Sequence, residues 1–258
     1  AISEALVGYL RSMGGEVICS QPVESIDRLP PARAILLDLA PRSVLSVARH
    51  QLPTKYCKRL ERFQYGPGTF KLDWALDGPI PWTDANIGSA TTVHIGGRLE
   101  EIAQSELDAW QGRICERPYL IVCQQSHADP SRAPEGKHTG YAYCHVPHGS
   151  EVDMTEQIER QIERFAPGFR DRILARHAIS PQDFEAWNPN FVGGAITGGA
   201  ANLAQLFTRP VARLNPYTTP NPRVFLCSAS TPPGGGVHGM CGYHAARTVI
   251  AKFLQGNI

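Results

Sequence analysis

The segment that most constrains the fold is TPPGGGVHGMCGYHAA, residues 231–246, in which two prolines and three glycines precede a helical pattern. An apolar stretch typical of a strand, RVFLCSAS, comes directly before it at residues 223–230. Proline stiffens a chain, whereas glycine has no Cβ and lets the backbone approach a ligand or another segment closely. The segment is therefore predicted to be a strand-to-helix turn that presents a rigid surface.

The N-terminal residues carry patterns typical of an α/β sheet. Residues 2–15 read as one helix that ends at a Gly-Gly pair. The alternating stretch EVICSQPVESI at 16–26 predicts a strand, and the apolar run Ala34–Leu37 predicts a strand buried on both faces. A helical pattern covers residues 42–63, with Pro53 separating two segments. These patterns indicate part of a parallel sheet with covering helices.

In the middle of the chain, aromatic and polar residues alternate. Four such segments predict an antiparallel sheet with one solvent-exposed face, at residues 70–76, 91–97, 119–125 and 141–147. Helices are predicted at residues 99–110, 153–165, 180–187 and 239–254. The first is expected to bury Leu99, Ile102, Ala103, Leu107 and Trp110, and the last Tyr243, Ala246, Val249, Ile250 and Phe253. The fold class is therefore α/β with an α+β insert.

Composition narrows the class of function. The chain has 25 Lys and Arg against 24 Asp and Glu, a balance that favours neither nucleic acid nor an anionic membrane as partner. Its apolar runs are far shorter than the roughly 20 residues of a membrane span, and no basic-then-apolar leader opens it. Seven cysteines without a CxxC pair indicate reduced thiols. These features predict a cytoplasmic protein without membrane association.

The turn passes one pattern test for nucleotide binding and fails another. Gly234, Gly236 and Gly239 match G-x-G-x-x-G, in which glycines admit a diphosphate at a helix N-terminus. The complete pattern also needs a second strand and an acidic residue roughly 20 positions later, and no Asp or Glu follows Gly239. A standard nucleotide-binding half-domain is excluded there, which leaves a closing strand-helix unit whose helix N-terminus faces a ligand.

Other residues could be assigned to metal or nucleophile chemistry, and a structural interpretation of them is preferred. Possible metal ligands are Cys227, His238, Cys241 and His244, and His145 with His148. The first set is divided between a strand and a helix, and the second would point to opposite faces of a strand end, so no metal site is predicted. Glu159 and Glu163 are expected on a solvated helix face. No motif for a covalent nucleophile is evident.

The stretch RVFLCSASTPPGGGVHGMCGYHAA, about 24 residues, resembles the C-terminal signature of the phytoene-desaturase-like FAD-dependent oxidoreductases. Three further segments are more loosely similar to that family: GGEVICSQPVESI, ARAILLDLAP and NPNFVGG. The resemblance implies the C-terminal portion of a two-domain flavoenzyme, with residues 1–41 and 211–258 as partial FAD-binding segments and 42–210 as a substrate-binding-like domain. Its partners would be a small-molecule substrate and a missing N-terminal FAD-binding half, without which this chain would bind FAD weakly or not at all.

The resemblance also implies which residues face the cofactor, mostly through their backbone. They are Val23, Ser230, Gly235, Gly236, Val237, Gly239 and Met240. It assigns no catalytic residue, because flavin dehydrogenations often depend on positioning alone. Where the family often has G-A-G-T-H-P, this chain has Ser228-Ala229-Ser230-Thr231-Pro232-Pro233. A carotenoid, an amine or another C–C or C–N oxidation therefore remain open as substrates.

A second class of function is a non-catalytic binding module. Its apolar groove would be formed by the aromatic residues of the predicted sheet, namely Phe70, Trp74, Trp82, Tyr141 and Tyr143. Aromatic residues that alternate on strands are more often core than groove. The colour of the complete gene product distinguishes the two hypotheses, since a flavoprotein is yellow and bleaches on reduction.

Overall fold

The fold was analysed in a computed structural model that describes residues 2–206 and 208–253. The helices are α1 Ile2–Ser12, α2 Pro41–Ala48, α3 Thr54–Glu61, α4 Leu99–Trp110, α5 Gln125–Ala128, α6 Thr155–Glu163, α7 Pro181–Trp187, α8 Leu203–Leu206 and α9 Met240–Phe253. The strands are β1 Ile35–Leu37, β2 Gly68–Leu76, β3 Thr92–Ile95, β4 Leu120–Cys123, β5 His138–Val146, β6 Ile173–Ile179 and β7 Val224–Leu226. Leu254 of the predicted closing helix, and the two chain ends of the predicted domain ranges, lie outside the described residues.

The strands form two sheets, as the alternation of patterns predicts. In the small sheet, β1 and β7 pair in parallel, with Leu36 opposite Phe225. In the large sheet, the strand order is β3-β4-β5-β2-β6 and every pairing is antiparallel. The large sheet is inserted in the sequence between the two strands of the small one. The predicted class, α/β with an α+β insert, is confirmed.

A first hydrophobic core joins the small sheet to α2 and α3. Its buried side chains include Leu37, Val44, Leu60, Val224 and Leu226. Pro53 precedes α3 and separates it from α2, as its missing N–H and fixed φ favour. Because α2 and α3 pack on β1 and β7, the small sheet has a helical cover on one side. The division of the chain at residue 42 stays a prediction.

A second core lies between one face of the large sheet and α6. Alternate residues of β2, such as Leu72 and Trp74, point to this face and meet Ile158 and Ile162 of α6, with Phe169 closing the cluster. The period of two in the strand and of nearly four in the helix brings both apolar faces together. This packing fixes the large sheet as a stable platform, whose other face, called the open face below, carries half-buried side chains and is partly covered by α4 through the His145–Glu106 pair.

Several expectations about single elements are wrong. Residues 16–26 form no strand, because Pro22 lacks an N–H and no described strand pairs with them. Leu36 is 40% exposed, so β1 is not buried on both faces. The strand β6 has no counterpart in the sequence prediction.

The prediction of which side is buried is also wrong for two helices. Helix α4 buries Ser105 and Ala109, and its predicted apolar stripe is largely exposed. Helix α9 buries Cys241 and Ala245, and the residues of its predicted stripe are half-buried or exposed. Small side chains let a helix lie close to its support, so the buried side is not always the most apolar one.

Glu159 is buried instead of solvated. It is 4% exposed, accepts a 3.1 Å hydrogen bond from Trp74 Nε1, and pairs with Arg176 Nε at 2.7 Å.

Within the described part of the chain, the helices are all too short or too polar to cross a bilayer.

Candidate functional site

The glycine turn connects β7 to α9 at one edge of the small sheet. Strand β7 ends at Leu226 and α9 begins at Met240, so residues 227–239 leave the carboxyl end of a parallel strand and enter a helix. In α/β sheets, ligands bind at the carboxyl ends of the strands and against helix N-termini. The predicted strand-turn-helix is thus confirmed, and its position is that of a ligand site.

The inner side of the turn is held by donors that bind its carbonyl groups. Arg209 donates from its Nη2 to Ala229 O at 3.0 Å and from its Nε to Ser230 O at 3.3 Å. Tyr217 donates its hydroxyl to Pro232 O at 3.0 Å, and the Cys241 thiol donates to Thr231 O and Gly234 O. The carbonyls therefore point into the protein.

Close packing against a second glycine-rich segment fixes the turn further. A Cβ on Gly198 would lie 2.7 Å from the backbone carbon of Ala229, and one on Gly235 would lie 2.6 Å from Thr197 O. Real Cβ atoms do not approach backbone that closely, so glycine is required at both positions by packing within the chain. Ser230 Oγ adds a 2.8 Å hydrogen bond to Gly198 O.

The outer side of the turn offers unused backbone donors. The N–H groups of Gly235, Gly236, Val237 and Gly239 have no acceptor among residues 2–206 and 208–253. The side chain of Val237 is fully exposed. Gly239 has φ +65°, and a Cβ built there would meet no described atom within 4 Å. The Met240 N–H is engaged by His238 Nδ1 at 3.0 Å.

A buried arginine and a helix N-terminus place positive charge behind this side of the turn. Arg209 is 6% exposed, and no described carboxylate lies within ion-pair distance of it. Burial lowers the pKa of its guanidinium, and the nearby Cys241 opposes that shift. The N-terminus of α9 contributes the equivalent of roughly half a positive charge. The turn therefore favours an anionic or hydrogen-bond-accepting ligand.

Asp38 and Cys227 lie at the same sheet edge, directly after the paired strands. Cys227 N donates to Leu37 O at 3.0 Å, which places the two residues side by side. Burial raises the pKa of the Asp38 carboxyl. Burial, followed by the charges of Asp38 and Cys241, raises the pKa of the Cys227 thiol to about 12, so the thiol is neutral.

The predicted site residues divide into three groups. Gly235, Gly236, Val237, Gly239 and Met240 lie together on the outer side of the turn. Ser230 is 2% exposed, and its hydroxyl is engaged inside the chain, so it lies on the inner side. Val23 is 43% exposed in the irregular segment between α1 and β1. Contact of these residues with a cofactor stays a prediction.

Sequence reasoning missed Arg209, Tyr217 and Asp38. Arg209 and Tyr217 belong to irregular chain without periodicity, and their role depends on contacts with residues that lie 15 to 21 positions away. Asp38 directly follows a predicted strand, and that position at a sheet edge was the available signal.

The possible metal ligands have other partners. His145 Nδ1 pairs with Glu106 at 2.8 Å, and His148 Nδ1 contacts Gly66 O at 2.9 Å. The His244 ring stacks on Tyr217, and Cys241 donates to backbone carbonyls. In the part of the chain that the structure describes, no three side chains of metal-binding type are grouped to hold an ion.

The apolar groove that the binding-module hypothesis predicts is not formed by the residues assigned to it. Phe70, Trp74 and Trp82 are buried in the core of the large sheet. Only Tyr141 and Tyr143 lie on the open face, where they are half-buried.

The open face of the large sheet is polar. Lys71 and Asp73 of β2 form an ion pair there, and the Lys71 ammonium lies 4.6 Å from the centre of the Tyr141 ring. A hydrogen bond with Cys123, together with burial, raises the pKa of Tyr141 to about 12. In the register of β2 and β5, Tyr143 lies opposite Lys71 and His145 lies opposite Thr69. This face can position a ligand that carries polar groups.

The fold defines a class of protein: it is shared with oxidoreductases of known structure. An oxidoreductase of known structure from Methanosarcina mazei matches 95% of this chain and 52% of its own, with a TM-score of 0.59 at 15% identity, which shows a shared fold. No family model matches the sequence.

Sequence comparison defines the family more closely. The chain is 34% identical over 290 residues to pyridine nucleotide-disulfide oxidoreductase domain-containing protein 2 of Mus musculus, covering 97% of this chain and 49% of that protein. It is 28% identical over 152 residues to a neurosporene-forming phytoene desaturase of Cereibacter sphaeroides, covering 55% of this chain and 28% of that enzyme. The chain is thus similar to the phytoene-desaturase-like family of FAD-dependent oxidoreductases, the family that its signature segment resembles. It spans about half the length of the first of these relatives.

The residues present fit the cofactor of this family. FAD carries a diphosphate and a ring with hydrogen-bond-accepting atoms, and the outer side of the turn offers backbone N–H groups without described partners. The open space beyond Gly239 would be filled by a Cβ.

Proposed function

We propose that the protein is an FAD-dependent oxidoreductase that dehydrogenates a small molecule, and that this chain supplies the closing part of its flavin site. The observation that carries the proposal is the polarity of the glycine turn, with carbonyls held inside and N–H groups outside. A rigid row of donors at a helix N-terminus binds anions and oxygen acceptors without further rearrangement.

Each group of residues has a distinct task in this proposal. The N–H groups of Gly235, Gly236, Val237 and Gly239 would hold FAD, with Met240 beginning the helix behind them and Val23 lying near its adenine end. FAD when bound supplies the redox chemistry, as an acceptor of electrons and hydrogen from the substrate. The protein binds and orients it, and the positive end of α9 stabilises negative charge on it. No acid or base among these residues is required by that task.

The open face of the large sheet would face the substrate, with residues 42–210 as a substrate-binding-like domain. Lys71, Asp73, Tyr141 and Tyr143 give that face charge and hydrogen-bonding groups. A polar or amine group on the substrate would find partners there, whereas a pure hydrocarbon would leave the ion pair desolvated. The substrate itself, the N-terminal FAD-binding half as partner and a cytoplasmic location remain parts of the proposal.

The test is the visible spectrum of the protein expressed from its complete gene. We expect a flavin spectrum that bleaches with dithionite, and FAD as the nucleotide released on denaturation. The present 258 residues, expressed alone, are the control and are expected to bind FAD much more weakly. A complete gene product that is colourless and takes up no FAD would refute the function.

A further inference from the structure

Arg209 lies beneath the glycine turn and has no negative partner among residues 2–206 and 208–253. It is 6% exposed, and its hydrogen bonds go to the carbonyls of Ala229 and Ser230, which are neutral. Its Nη1 has no hydrogen-bond acceptor among the described residues and lies 3.0 Å from the position of a Cβ on Gly234. The guanidinium is therefore directed at the beginning of the glycine run.

Two neutral carbonyls do not compensate a buried guanidinium. A buried charge is stable only when it is paired, and proteins that hold one unpaired usually need it for a ligand. The ionisable group that acts on Arg209 is the Cys241 thiol, and Asp38 acts on Cys227 instead. Lysine or glutamine could donate to the same carbonyls, so the hydrogen bonds alone do not require arginine's permanent charge.

We propose that Arg209 is a positioning residue whose buried positive charge is balanced by the anionic portion of bound FAD, either its diphosphate or its reduced ring. The inference rests on the proposed function. Arg209 acts through the turn: it holds the carbonyls inward, which keeps the N–H row outward, and it adds long-range attraction behind that row. Because Arg209 is largely buried, this attraction is screened less than at a surface.

The experiment compares three variants of the FAD-containing protein made from the complete gene. R209Q removes the charge and keeps hydrogen-bonding capacity, and R209K keeps the charge without the planar fork. R213Q is the matched control, because Arg213 is exposed and likewise donates to side-chain and backbone oxygens, of Thr218 and Thr219. Two affinities are measured for each: that of FAD for the apoprotein, which senses the diphosphate, and that of sulfite for the bound oxidised flavin, which senses charge near the ring.

We expect R209Q to weaken at least one of these affinities by about tenfold, the effect of a unit charge about 10 Å away in a protein. R209K should stay within about threefold of the wild type, and R213Q should not differ from it. A loss of FAD affinity alone assigns the diphosphate as the partner, and a loss of sulfite affinity alone assigns the ring.

Wild-type affinities in R209Q would overturn the inference, as would an equal loss in R209K and R209Q. If R209Q does not fold, the affinities of R209K test the inference. Affinities near those of the wild type support a role for the positive charge, whereas weaker affinities at an unchanged melting temperature contradict it. A wild-type protein without FAD would refute the proposed function itself, whereas FAD and sulfite affinities that are equal in all variants refute only the role of Arg209.

Discussion

Replacing Gly239 with alanine tests whether the outer side of the turn faces the cofactor. Gly239 has φ +65° and open space at its Cβ position, and Gly136 has φ +73° with the same open space. Gly136 lies before β5, at the end of the large sheet where Leu76 pairs with His138, whereas the other end of this strand pair, at Gly68, contacts Gly193, a few residues before the Gly198 that packs on the turn. G239A and G136A therefore impose similar backbone strain at two different places.

The magnitudes follow from this geometry. Left-handed backbone costs a non-glycine residue about 1 kcal/mol net, which corresponds to a loss of roughly 2–4 °C in melting temperature for a chain of this size. Both variants should show this loss without cofactor. In G239A, the added methyl also enters the space assigned to FAD, where overpacking costs about 1–3 kcal/mol, or roughly five- to hundredfold in FAD affinity.

The assay is FAD titration of apoprotein from the complete gene, followed by flavin fluorescence, with thermal unfolding measured in parallel. G136A should bind FAD as the wild type does, in spite of its lower melting temperature. G235A is a third informative variant, because its Cβ would meet Thr197 O and should destabilise the turn itself. Equal FAD affinity in G239A and G136A would refute the assignment of the outer side.

Two further predictions concern the fold. E159A should lower the free energy of unfolding by about 3 kcal/mol, because it leaves the Trp74 N–H buried without an acceptor, whereas E156A removes an exposed carboxylate and should shift the midpoint of the same urea titration far less. A thiol reagent at pH 8 should modify exposed Cys19 rapidly and half-buried Cys227 only slowly, because a thiol with a pKa of about 12 stays almost entirely protonated there. Peptide mapping over time would identify the modified residues, and equally rapid labelling of Cys227 would contradict its raised pKa.

The elements with strong periodicity were predictable from sequence. Helix α6 buries Ile158 and Ile162 as its spacing indicates, and α7 begins with the Ser180–Asp183 capping pair and Pro181. Strand β6 was missed because its residues are mostly exposed, which leaves no alternation of apolar and polar side chains. It belongs to the sheet through backbone pairing with β2, and backbone hydrogen bonds leave no trace in side-chain pattern.

The outer side of the site was predictable because glycine and proline are read directly from the sequence. Its inner side was not, since Arg209 and Tyr217 reach the turn from irregular chain that folds back onto it. The reason for a glycine could not be read from the sequence. A Cβ at Gly235 would collide with Thr197, whereas a Cβ at Gly239 would lie in open space. Sequence pattern cannot separate these two reasons, because both require the same absence of a Cβ.

The two serines that replace glycines of the family pattern can be explained by the difference between the inner and the outer side of the turn. Ser228 and Ser230 replace glycines, and both are buried on the inner side. Ser228 Oγ accepts from Ser230 N at 3.3 Å, and Ser230 Oγ donates to Gly198 O at 2.8 Å, so the added hydroxyls satisfy partners inside the chain. The departures thus change how the turn is supported, and they leave its outer N–H row available. Differences in substrate between this protein and its relatives should therefore be sought on the polar face of the large sheet, at Lys71 and Asp73, and not at the turn.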